Sequence, residues 1–271
     1  MARNIVVTGA GSGIGAMCAQ LVEDRGDTAI GLDLKNAEFE VDLSDRSAVD
    51  DVVRQVEEQY GQVDGVIANA GTQTNTPLDL KVNFFGARNT VHAFRRLLAQ
   101  SENGRVAITA SAASLQPTDP HLVKLLLDDQ ESEALEYGQS LADQGQMAGY
   151  ANYSASKRAI ATWVRRVAPT EEFAGAGIGI NAVGPGVVAT PMTTQLLSTQ
   201  EGRDMAFGAM PAPYNGAQRP EDIADVLVFL VSGLNRSMTG QVIYVDGGFD
   251  AIGRGEDLWH APKSMDQVDS R

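Results

Sequence analysis

The sequence predicts an α/β fold in which a doubly wound parallel sheet carries helices on both faces. Short β-rich runs alternate with stretches of helical period along most of the 271 residues, a pattern typical of βαβ units. A glycine-rich turn follows the first β-rich run, and an apolar content of 43% is enough for one full core. With no internal repeat or low-complexity linker, we expect one domain over residues 1–250 and a polar tail over residues 251–271.

Six runs are rich in β-branched and apolar residues and are expected to form the strands: Ile5–Thr8, Thr28–Leu32, Gly65–Ala68, Arg105–Thr109, Gly177–Val183 and Gln241–Val245. Five stretches between and after them have helical period: Ala16–Arg25, Ser47–Tyr60, Val82–Ala99, Tyr153–Val167 and Pro220–Ser232. In a parallel sheet of this kind, ligands gather at the carboxyl ends of the strands. Polar residues that directly follow a strand are therefore the candidates for a site.

Composition excludes several classes of function. The formal net charge of −14 and the pI near 4.6 argue against sequence-independent binding to nucleic acid or to anionic membranes. No run is apolar enough for a membrane span, and Met1–Asn4 leads straight into the first strand without a signal peptide, so we expect a cytoplasmic protein. Cys18 is the only cysteine, which excludes an internal disulfide and a cysteine-based metal cluster; we expect it to be buried in the first helix.

The first strand leads into the segment Thr8-Gly9-Ala10-Gly11-Ser12-Gly13-Ile14-Gly15. Glycines at these positions permit a tight turn and a close approach of the backbone to a pyrophosphate, and the following helix start supplies free N–H groups. The position after the first strand favours a Rossmann-like dinucleotide site over an ordinary glycine-rich turn. Its candidate contacts are Gly9, Gly11, Ser12, Gly13 and Ile14.

Asp33 closes the second strand, 18 residues after Gly15. A carboxylate there can accept hydrogen bonds from the ribose hydroxyls of adenosine and would repel a 2′-phosphate. Lys35 is the only nearby cation, and Ser12 leaves the loop without a basic residue. The sequence therefore favours NAD over NADP, with an exposed aspartate in a turn as the alternative.

Tyr153 and Lys157 are four residues apart in a helical stretch, which places both side chains on one face. At an effective dielectric of roughly 20, a phenolate and an ammonium about 4–5 Å apart attract each other by about 3–4 kcal/mol, which lowers the pKa of the phenol. Such a tyrosine can act as acid and base. Taken alone, the same spacing occurs on many surface helices.

Taken together, these residues resemble the short-chain dehydrogenase/reductase family over about residues 3–250. The resemblance rests on Thr8-Gly9-x-x-x-Gly13-Ile14-Gly15, Asp42-Leu43, Asn69-Ala70-Gly71, Asn83, Ser111, Tyr153-x-x-x-Lys157, Asn181, Pro185-Gly186 and Thr190-Pro191. Within the family, the bacterial 3α-hydroxysteroid dehydrogenase/carbonyl reductases and the coniferyl-alcohol dehydrogenases look most similar, notably in Gly31–Asp33, Val82–Gly86 and Val245–Ala251.

The resemblance implies further cofactor contacts. Asp42 and Leu43 would bind the adenine; Asn69, Ala70 and Gly71 would line the ribose; and Pro185, Gly186, Val188 and Thr190 would hold the nicotinamide carboxamide. Turn formation or packing is the alternative for each of these segments. Tyr153 and Lys157 would contact the cofactor as well.

The resemblance also implies a catalytic set of Asn83, Ser111, Tyr153 and Lys157. Ser111 follows the fifth strand and can hydrogen-bond a substrate oxygen, with Ser114 as a competitor. Asn83 would bind a water that extends a proton relay from Lys157, although an asparagine there also suits a helix cap. No metal is expected, because three scattered histidines do not form a ligand set: His92, His121 and His260.

Two departures from the family pattern concern the Tyr153 helix. Ser111 and Tyr153 are 42 positions apart, so residues 112–151 form an insertion, helical and acidic over Pro120–Asp143. It would shape the substrate pocket, make a subunit contact or simply cover apolar surface. Pro169 should end the Tyr153 helix, which makes a homodimer as reasonable as the usual tetramer.

We therefore expect an NAD-dependent oxidoreductase whose small-molecule substrate is a secondary, alicyclic or aromatic alcohol. The enzyme would interconvert this alcohol and its carbonyl compound. Residues 191–218 are expected to form either an apolar substrate lid or an ordinary packed surface helix; the candidate lid contacts are Met192, Leu196, Leu197, Met205, Phe207 and Met210. The alternative is a nonenzymatic dinucleotide sensor or scaffold on the same fold. Nothing in the sequence specifically favours a dehydratase or an epimerase.

Overall fold

Seven parallel strands form one sheet in the computed structural model of the chain, which describes residues 2–258. The strands are β1 (Asn4–Thr8), β2 (Thr28–Asp33), β3 (Phe39–Glu40), β4 (Gly65–Ala68), β5 (Arg105–Thr109), β6 (Gly179–Pro185) and β7 (Val242–Val245). Their order across the sheet is β3-β2-β1-β4-β5-β6-β7. The chain therefore moves one way from β1 to β3 and the other way from β4 to β7, and a crevice opens between the carboxyl ends of β1 and β4. The predicted doubly wound α/β fold is confirmed.

Both faces of the sheet are covered by helices. In chain order these are α1 (Gly13–Asp24), α2 (Arg46–Tyr60), α3 (Pro77–Leu80), α4 (Ala87–Leu98), α5 (Pro120–Leu127), α6 (Glu131–Ala142), α7 (Gln146–Val167), α8 (Thr194–Leu197), α9 (Gln200–Ala209), α10 (Pro220–Val231) and α11 (Phe249–Arg254). A π-helical turn over Lys81–Gly86 joins α3 to α4, and a 3₁₀ turn over Ala112–Leu115 follows β5. In the described part of the chain, no helix has the length and apolar character that a membrane crossing requires.

The alternation of side chains along β1 divides the core into two layers. Ile5 and Val7 pack with α1 and α10 on one face, whereas Val6 packs with α2, α4 and α7 on the other. All three are fully buried, which explains why the run is continuously apolar. Cys18 lies in the α1 layer as predicted, and burial raises the pKa of its thiol to about 12.

Two local features differ from the sequence prediction. Strand β3 was not predicted, because two residues are too short to leave a period. The helix predicted to begin at Val82 begins instead at Pro77, where the Thr76 hydroxyl caps it by accepting the Leu78 N–H at 3.3 Å. Asn83 is therefore not a helix cap but lies inside the π-helical turn, buried.

The predicted helical insertion consists of the 3₁₀ turn, α5, α6 and the first turn of α7, which begins at Gln146 rather than at Tyr153. Buried Leu122, Leu126 and Ala134 join the core, so the insertion does cover apolar surface. Its roles at the pocket and at a subunit contact stay predictions. Helix α7 ends at Val167, before Pro169, as expected.

The predicted tail over residues 251–271 is only partly described. Its first residues belong to α11, which ends at Arg254. Residues 259–271, which include Trp259 and His260, lie outside the described part of the chain.

Asn181 provides a test of how β6 is joined to β7. Its buried side chain donates to the Met238 carbonyl at 2.8 Å and accepts the Gln241 N–H at 3.0 Å. Asn181→Ala removes both bonds and leaves their backbone partners unpaired, so we expect the free energy of unfolding in urea to fall by about 2–3 kcal/mol. Asn103→Ala, at an exposed turn, is the control and should change it by less than about 0.5 kcal/mol. Equal losses in the two variants would contradict this account.

Candidate active site

A cleft of about 760 Å³ lies at the carboxyl ends of the strands. It is lined by nearly all of the residues predicted for the site: Gly9, Ser12, Gly13, Ile14, Asp33, Asp42, Leu43, Asn69, Ala70, Gly71, Ser111, Tyr153, Lys157, Pro185, Gly186, Val188 and Thr190. Of the predicted cofactor-binding and catalytic residues, Gly11 and Asn83 are the two that are not part of its lining. The fold thus brings one end of the chain, its centre and the segment after β6 to a single cavity.

The glycine-rich turn is held in a form that a side chain would disrupt. Gly9 and Gly13 have φ angles of +72° and +55°, and a Cβ at Gly15 would lie 2.0 Å from the Gly9 carbonyl oxygen. Ser12 occupies the N-cap of α1, and its side chain makes no capping bond. The amino end of α1 therefore presents unpaired N–H groups and partial positive charge to the cleft, an arrangement that suits a phosphate.

Asp33 is fixed at the end of β2 by backbone donors. One carboxylate oxygen accepts the Gly11 N–H at 2.9 Å and the other accepts the Leu34 N–H at 2.6 Å. A Cβ at Gly11 would lie 2.5 Å from the Lys35 carbonyl oxygen, so no side chain, basic or otherwise, fits at position 11 of the turn. Each oxygen retains a lone pair that can accept a hydroxyl.

Asp42 and Asn69 combine a local structural role with a place in the cleft. Asp42 accepts the Ser44 N–H at 2.9 Å and so forms the turn before α2. The Asn69 side chain donates to the Thr8 carbonyl at 3.3 Å and accepts from the Thr109 hydroxyl at 3.0 Å, which ties the ends of β1, β4 and β5 together. Asp42 therefore forms a turn and Asn69 connects strand ends, as the alternative to cofactor binding supposed. Both residues nevertheless line the cleft.

Ser111 and Tyr153 meet at the centre of the cleft. The Tyr153 hydroxyl donates to Ser111 Oγ at 3.4 Å, and the Ala113 N–H donates to the same oxygen at 3.1 Å. Because its oxygen accepts from these two donors, the Ser111 hydroxyl can still donate a hydrogen bond to a third group. The Ser114 hydroxyl lies 2.9 Å from that of Tyr244, so Ser111 rather than Ser114 contacts Tyr153.

Lys157 is buried one turn after Tyr153 on α7. Its ammonium donates to the Thr109 carbonyl at 3.0 Å and lies 6.0 Å from the centre of the Tyr153 ring. Burial lowers the pKa of Lys157 to about 8, and the negative charge of Asp79 opposes that shift. The ammonium is thus held against the end of β5 rather than in solvent.

The pKa of Tyr153 differs from the sequence expectation. Burial of the phenol raises it above 10, and the field of Asp79 acts in the same direction. The hydrogen bond with Ser111 lowers it, but by less than burial raises it. Lys157 does not reverse the balance, because its ammonium is bonded to the strand end and stays 6.0 Å from the ring centre. In the free protein the phenol is therefore protonated near neutral pH.

Asn83 links the loop after β4 to the Tyr153 helix. Its carboxamide accepts the Thr72 N–H at 2.8 Å and donates to the Thr72 carbonyl at 2.9 Å. It also donates to the Ser156 hydroxyl at 3.2 Å. Its role in a water-mediated relay stays a prediction.

The segment from Pro185 to Thr190 has a fixed backbone. The Gly186 N–H donates to the Val245 carbonyl at 3.0 Å, and Val188 pairs with Gln218 in an isolated parallel bridge. Thr190 N–H donates to the Thr193 hydroxyl at 3.0 Å. Pro185, Gly186, Val187, Val188 and Thr190 line the cleft.

Several lining residues were not predicted. Tyr150 lies 5.8 Å from Tyr153 between ring centres and donates to Gln116 at 2.7 Å, and Gln116 donates to the Ala209 carbonyl of α9 at 3.2 Å. The three-residue spacing of Tyr150 and Tyr153 was a usable signal, whereas Gln116 left none. Of the six apolar lid candidates, Met192, Leu196, Met205 and Met210 line the cleft, while Leu197 and Phe207 do not.

His92 and His121, the two histidines in the described part of the chain, do not line the cleft. His92 Nδ1 lies 3.0 Å from a Glu172 carboxylate oxygen, and His121 packs edge-on against Tyr137. His260 falls outside the described residues. Within residues 2–258 no three His, Cys, Asp or Glu side chains are grouped so that they could hold a metal ion.

Comparisons with known proteins agree with this fold. Residues 9–250 match the family model described as enoyl-(acyl carrier protein) reductase. The chain is 29% identical to 3-alpha-hydroxysteroid dehydrogenase/carbonyl reductase of Comamonas testosteroni, over 92% of this chain and 97% of that protein. It is 28% identical to the 3-oxoacyl-[acyl-carrier-protein] reductase of Thermotoga maritima, over 90% and 96% respectively. The crystal structure of 3-alpha-hydroxysteroid dehydrogenase from Pseudomonas sp. B-0831, complexed with NADH, matches with a TM-score of 0.84 and 30% identity, over 94% of this chain and 100% of that one.

The raised pKa of Tyr153 is directly measurable. In an ultraviolet titration of the free protein, Tyr153→Phe should remove one tyrosine ionisation at a pH above 10, because burial disfavours the phenolate. The ionisations seen below pH 10 should be the same in both proteins. If the variant instead loses an ionisation near neutral pH, the stated balance between burial and hydrogen bonding is wrong.

Proposed function

The chain belongs to the short-chain dehydrogenase/reductase family, and we propose that it is an NAD-dependent enzyme that interconverts an alcohol and its carbonyl compound. The observation that carries the proposal is the meeting of Tyr153 and Ser111 at 3.4 Å in a cleft whose wall contains Lys157. The glycine-rich turn lines another part of the same cleft. A proton donor and a phosphate-binding turn are thus arranged around one ligand-sized space.

The residues of the cleft fit a nicotinamide dinucleotide. The amino end of α1 would bind the pyrophosphate, Asp42 and Leu43 the adenine, and the segment Pro185–Thr190 the carboxamide. NAD is favoured over NADP because Asp33 would repel a 2′-phosphate and because Gly11 has no space for a cationic side chain. The binding of NADH by the related Pseudomonas enzyme is consistent with this choice.

A nicotinamide held by these residues would supply hydride transfer to and from the substrate carbon, and its oxidised ring would supply positive charge. Tyr153 takes the hydroxyl proton of the substrate during oxidation and gives it back during reduction. The Ser111 oxygen accepts two hydrogen bonds, which leaves its own O–H able to donate. It donates this hydrogen bond to the substrate oxygen and so stabilises negative charge there. Lys157 favours the phenolate by its charge and would hold the cofactor ribose.

Asn83 completes the proposed set. Its carboxamide holds Thr72 on one side and Ser156 on the other, so it fixes the loop after β4 against α7. A water bound near Asn83 would extend the proton path from Lys157 toward solvent. Loss of Ser111 or Tyr153 would therefore affect proton transfer more than cofactor affinity, whereas loss of Lys157 would affect both.

The substrate end of the cleft is mainly apolar. Met192, Leu196, Met205 and Met210 line it, and Lys157 is the only cation among the described lining residues. The related proteins are named for steroid and carbonyl substrates and for acyl-carrier-protein substrates. A phosphate or carboxylate would find no free counter-ion in the lining, which favours a neutral secondary, alicyclic or aromatic alcohol.

Further parts of the proposal concern the whole protein. We assign residues 1–250 to one cofactor-binding and catalytic domain, in which residues 112–151 and 191–218 shape the substrate pocket. A cytoplasmic homo-oligomer, either a dimer or a tetramer, fits the acidic composition and the early end of α7. The alternative of a nonenzymatic dinucleotide sensor is disfavoured, because Ser111 and Tyr153 are in contact and Lys157 is held in place.

The proposed activity is tested by incubating the protein with NAD and each of a panel of neutral alcohols. The formation of NADH is monitored by its absorbance. Tyr153→Phe should lower kcat by about 10²–10⁴-fold because the general acid and base is lost. Calorimetry should show unchanged affinity for NAD. Tyr137→Phe, which removes a hydroxyl bonded to Asp119 outside the cleft, should keep full turnover. Retained turnover in Tyr153→Phe would eliminate the assignment.

The cofactor preference is tested at Asp33. Asp33→Ser removes the charge that repels a 2′-phosphate, so kcat/KM with NADP should rise at least about tenfold relative to that with NAD. Asp24→Ser makes the same change at the far end of α1 and should leave the ratio unaltered. A ratio that stays the same in Asp33→Ser would mean that this carboxylate does not select the cofactor.

A further inference from the structure

Asp79, on the short helix α3, is a fully buried carboxylate that the proposed chemistry does not use. No Lys, Arg or His of residues 2–258 forms an ion pair with it within 4.0 Å. Burial of an unpaired carboxylate is costly, and burial is the main reason why the pKa of Asp79 is raised. Other contacts of Asp79 must therefore offset the cost of burying its carboxylate beside α7.

The carboxylate is satisfied by the loop that precedes it. One oxygen accepts the Thr74 N–H at 2.7 Å and the Thr74 hydroxyl at 3.0 Å, and the other accepts the Asn75 N–H at 2.8 Å. Asn75 has a φ of +60°, so the loop adopts a left-handed conformation at the point where Asp79 holds it. Three donors aimed at two oxygens favour the ionised form.

The same loop touches the catalytic centre. A Cβ at Gly71 would lie 3.0 Å from the Asn83 carboxamide oxygen and 3.4 Å from the Lys157 ammonium. The next residue, Thr72, exchanges two hydrogen bonds with Asn83. Asp79 thus fixes a loop whose beginning forms the wall beside Asn83 and Lys157.

The charge of Asp79 reaches both members of the Tyr153–Lys157 pair. It raises the pKa of Lys157 and that of Tyr153, and Lys157 in turn lowers the pKa of Asp79. Tyr150 faces Tyr153 from the preceding turn of α7, and β5 contributes only the Thr109 carbonyl and the Ser111 hydroxyl that follows it. Residues 71–76 carry no titratable side chain, and Lys81 of the π-helical turn is exposed. Of the described residues, Asp79 is the acidic group whose field acts on the ammonium.

We propose that Asp79 is a positioning residue of this site, which braces the loop beside Asn83 and whose negative charge offsets the cost of burying the Lys157 ammonium. The inference rests on the proposed function, because it concerns the pair assigned to proton transfer. It predicts that neutralising Asp79 changes the pH dependence of the reaction and not only its rate.

The test is the pH profile of kcat/KM for alcohol oxidation in Asp79→Asn, an isosteric and neutral variant. Oxidation needs a deprotonated Tyr153 and a protonated Lys157, so the two limbs of the profile report the two macroscopic pKa values of this pair. Loss of a nearby negative charge lowers both pKa values. Both limbs should therefore move to lower pH, by about one unit.

Two controls separate charge from structure. Thr74→Val removes one bond to the carboxylate without changing any charge, so it should lower kcat and leave both limbs in place. Asp50→Asn makes the same charge change at an exposed position of α2 and should change neither. If Asp79→Asn does not fold, Asp79→Ser keeps a small polar acceptor and carries the same expectation.

The outcomes are distinct. Limbs of Asp79→Asn that coincide with those of the wild type would overturn the proposal and leave Asp79 a purely structural residue. If the wild type oxidises no alcohol with NAD, the proposed function fails instead. In that case the inference is tested by the ultraviolet titration. The ionisation of Tyr153, identified by its loss in Tyr153→Phe, should occur at lower pH in Asp79→Asn than in the wild type. An ionisation at the same pH in both proteins would overturn the inference.

Discussion

The burial of the Lys157 ammonium is the constraint on which the rest of this site depends. A buried cation needs fixed partners, and here they are the carbonyl at the end of β5 and the field of Asp79. Helix α7 must therefore lie across the carboxyl edge of the sheet. That placement brings Tyr153, one turn earlier, to the hydroxyl of Ser111. The sheet, the helix and the acid on α3 are thus fixed relative to one another by one charge.

This arrangement keeps the phenol protonated until something changes its surroundings. In the free protein, burial outweighs the hydrogen bond with Ser111 and keeps the pKa of Tyr153 raised. The ammonium is close enough to respond to the same charges but is bonded to the strand rather than to the phenol. The proton affinity of the phenol is therefore determined by its burial, by Ser111 and by the charge of Asp79.

Much of the site could be predicted because its residues occupy positions with a periodic or topological meaning. The glycine-rich turn, Asp33 and Ser111 each follow a strand, and Tyr153 and Lys157 share one helix face. The turn and the strand ends could therefore be placed before any side-chain geometry was known. The resemblance to a family supplied the remaining roles, including that of Asn83.

Other features could not be predicted because they depend on contacts between distant segments. Strand β3 is too short for a period, and the π-helical turn around Asn83 looks like ordinary helix in sequence. Asp79 stands between two leucines near a helix start, where an exposed acid is equally common. The pKa of Tyr153 was expected to fall because the spacing shows the neighbouring cation but not the depth of burial. Only the folded structure shows that the pKa of Tyr153 is raised rather than lowered.

The hydrogen bond from Gln116 to the Ala209 carbonyl joins α9 to the turn that begins at Ser111. Through Tyr150, which donates to the same Gln116 side chain, that connection continues to the ring beside Tyr153. A displacement of α9 that admits or releases a bulky molecule must break or stretch this link. The position of α9 and that of the ring beside Tyr153 are therefore coupled through the single side chain of Gln116.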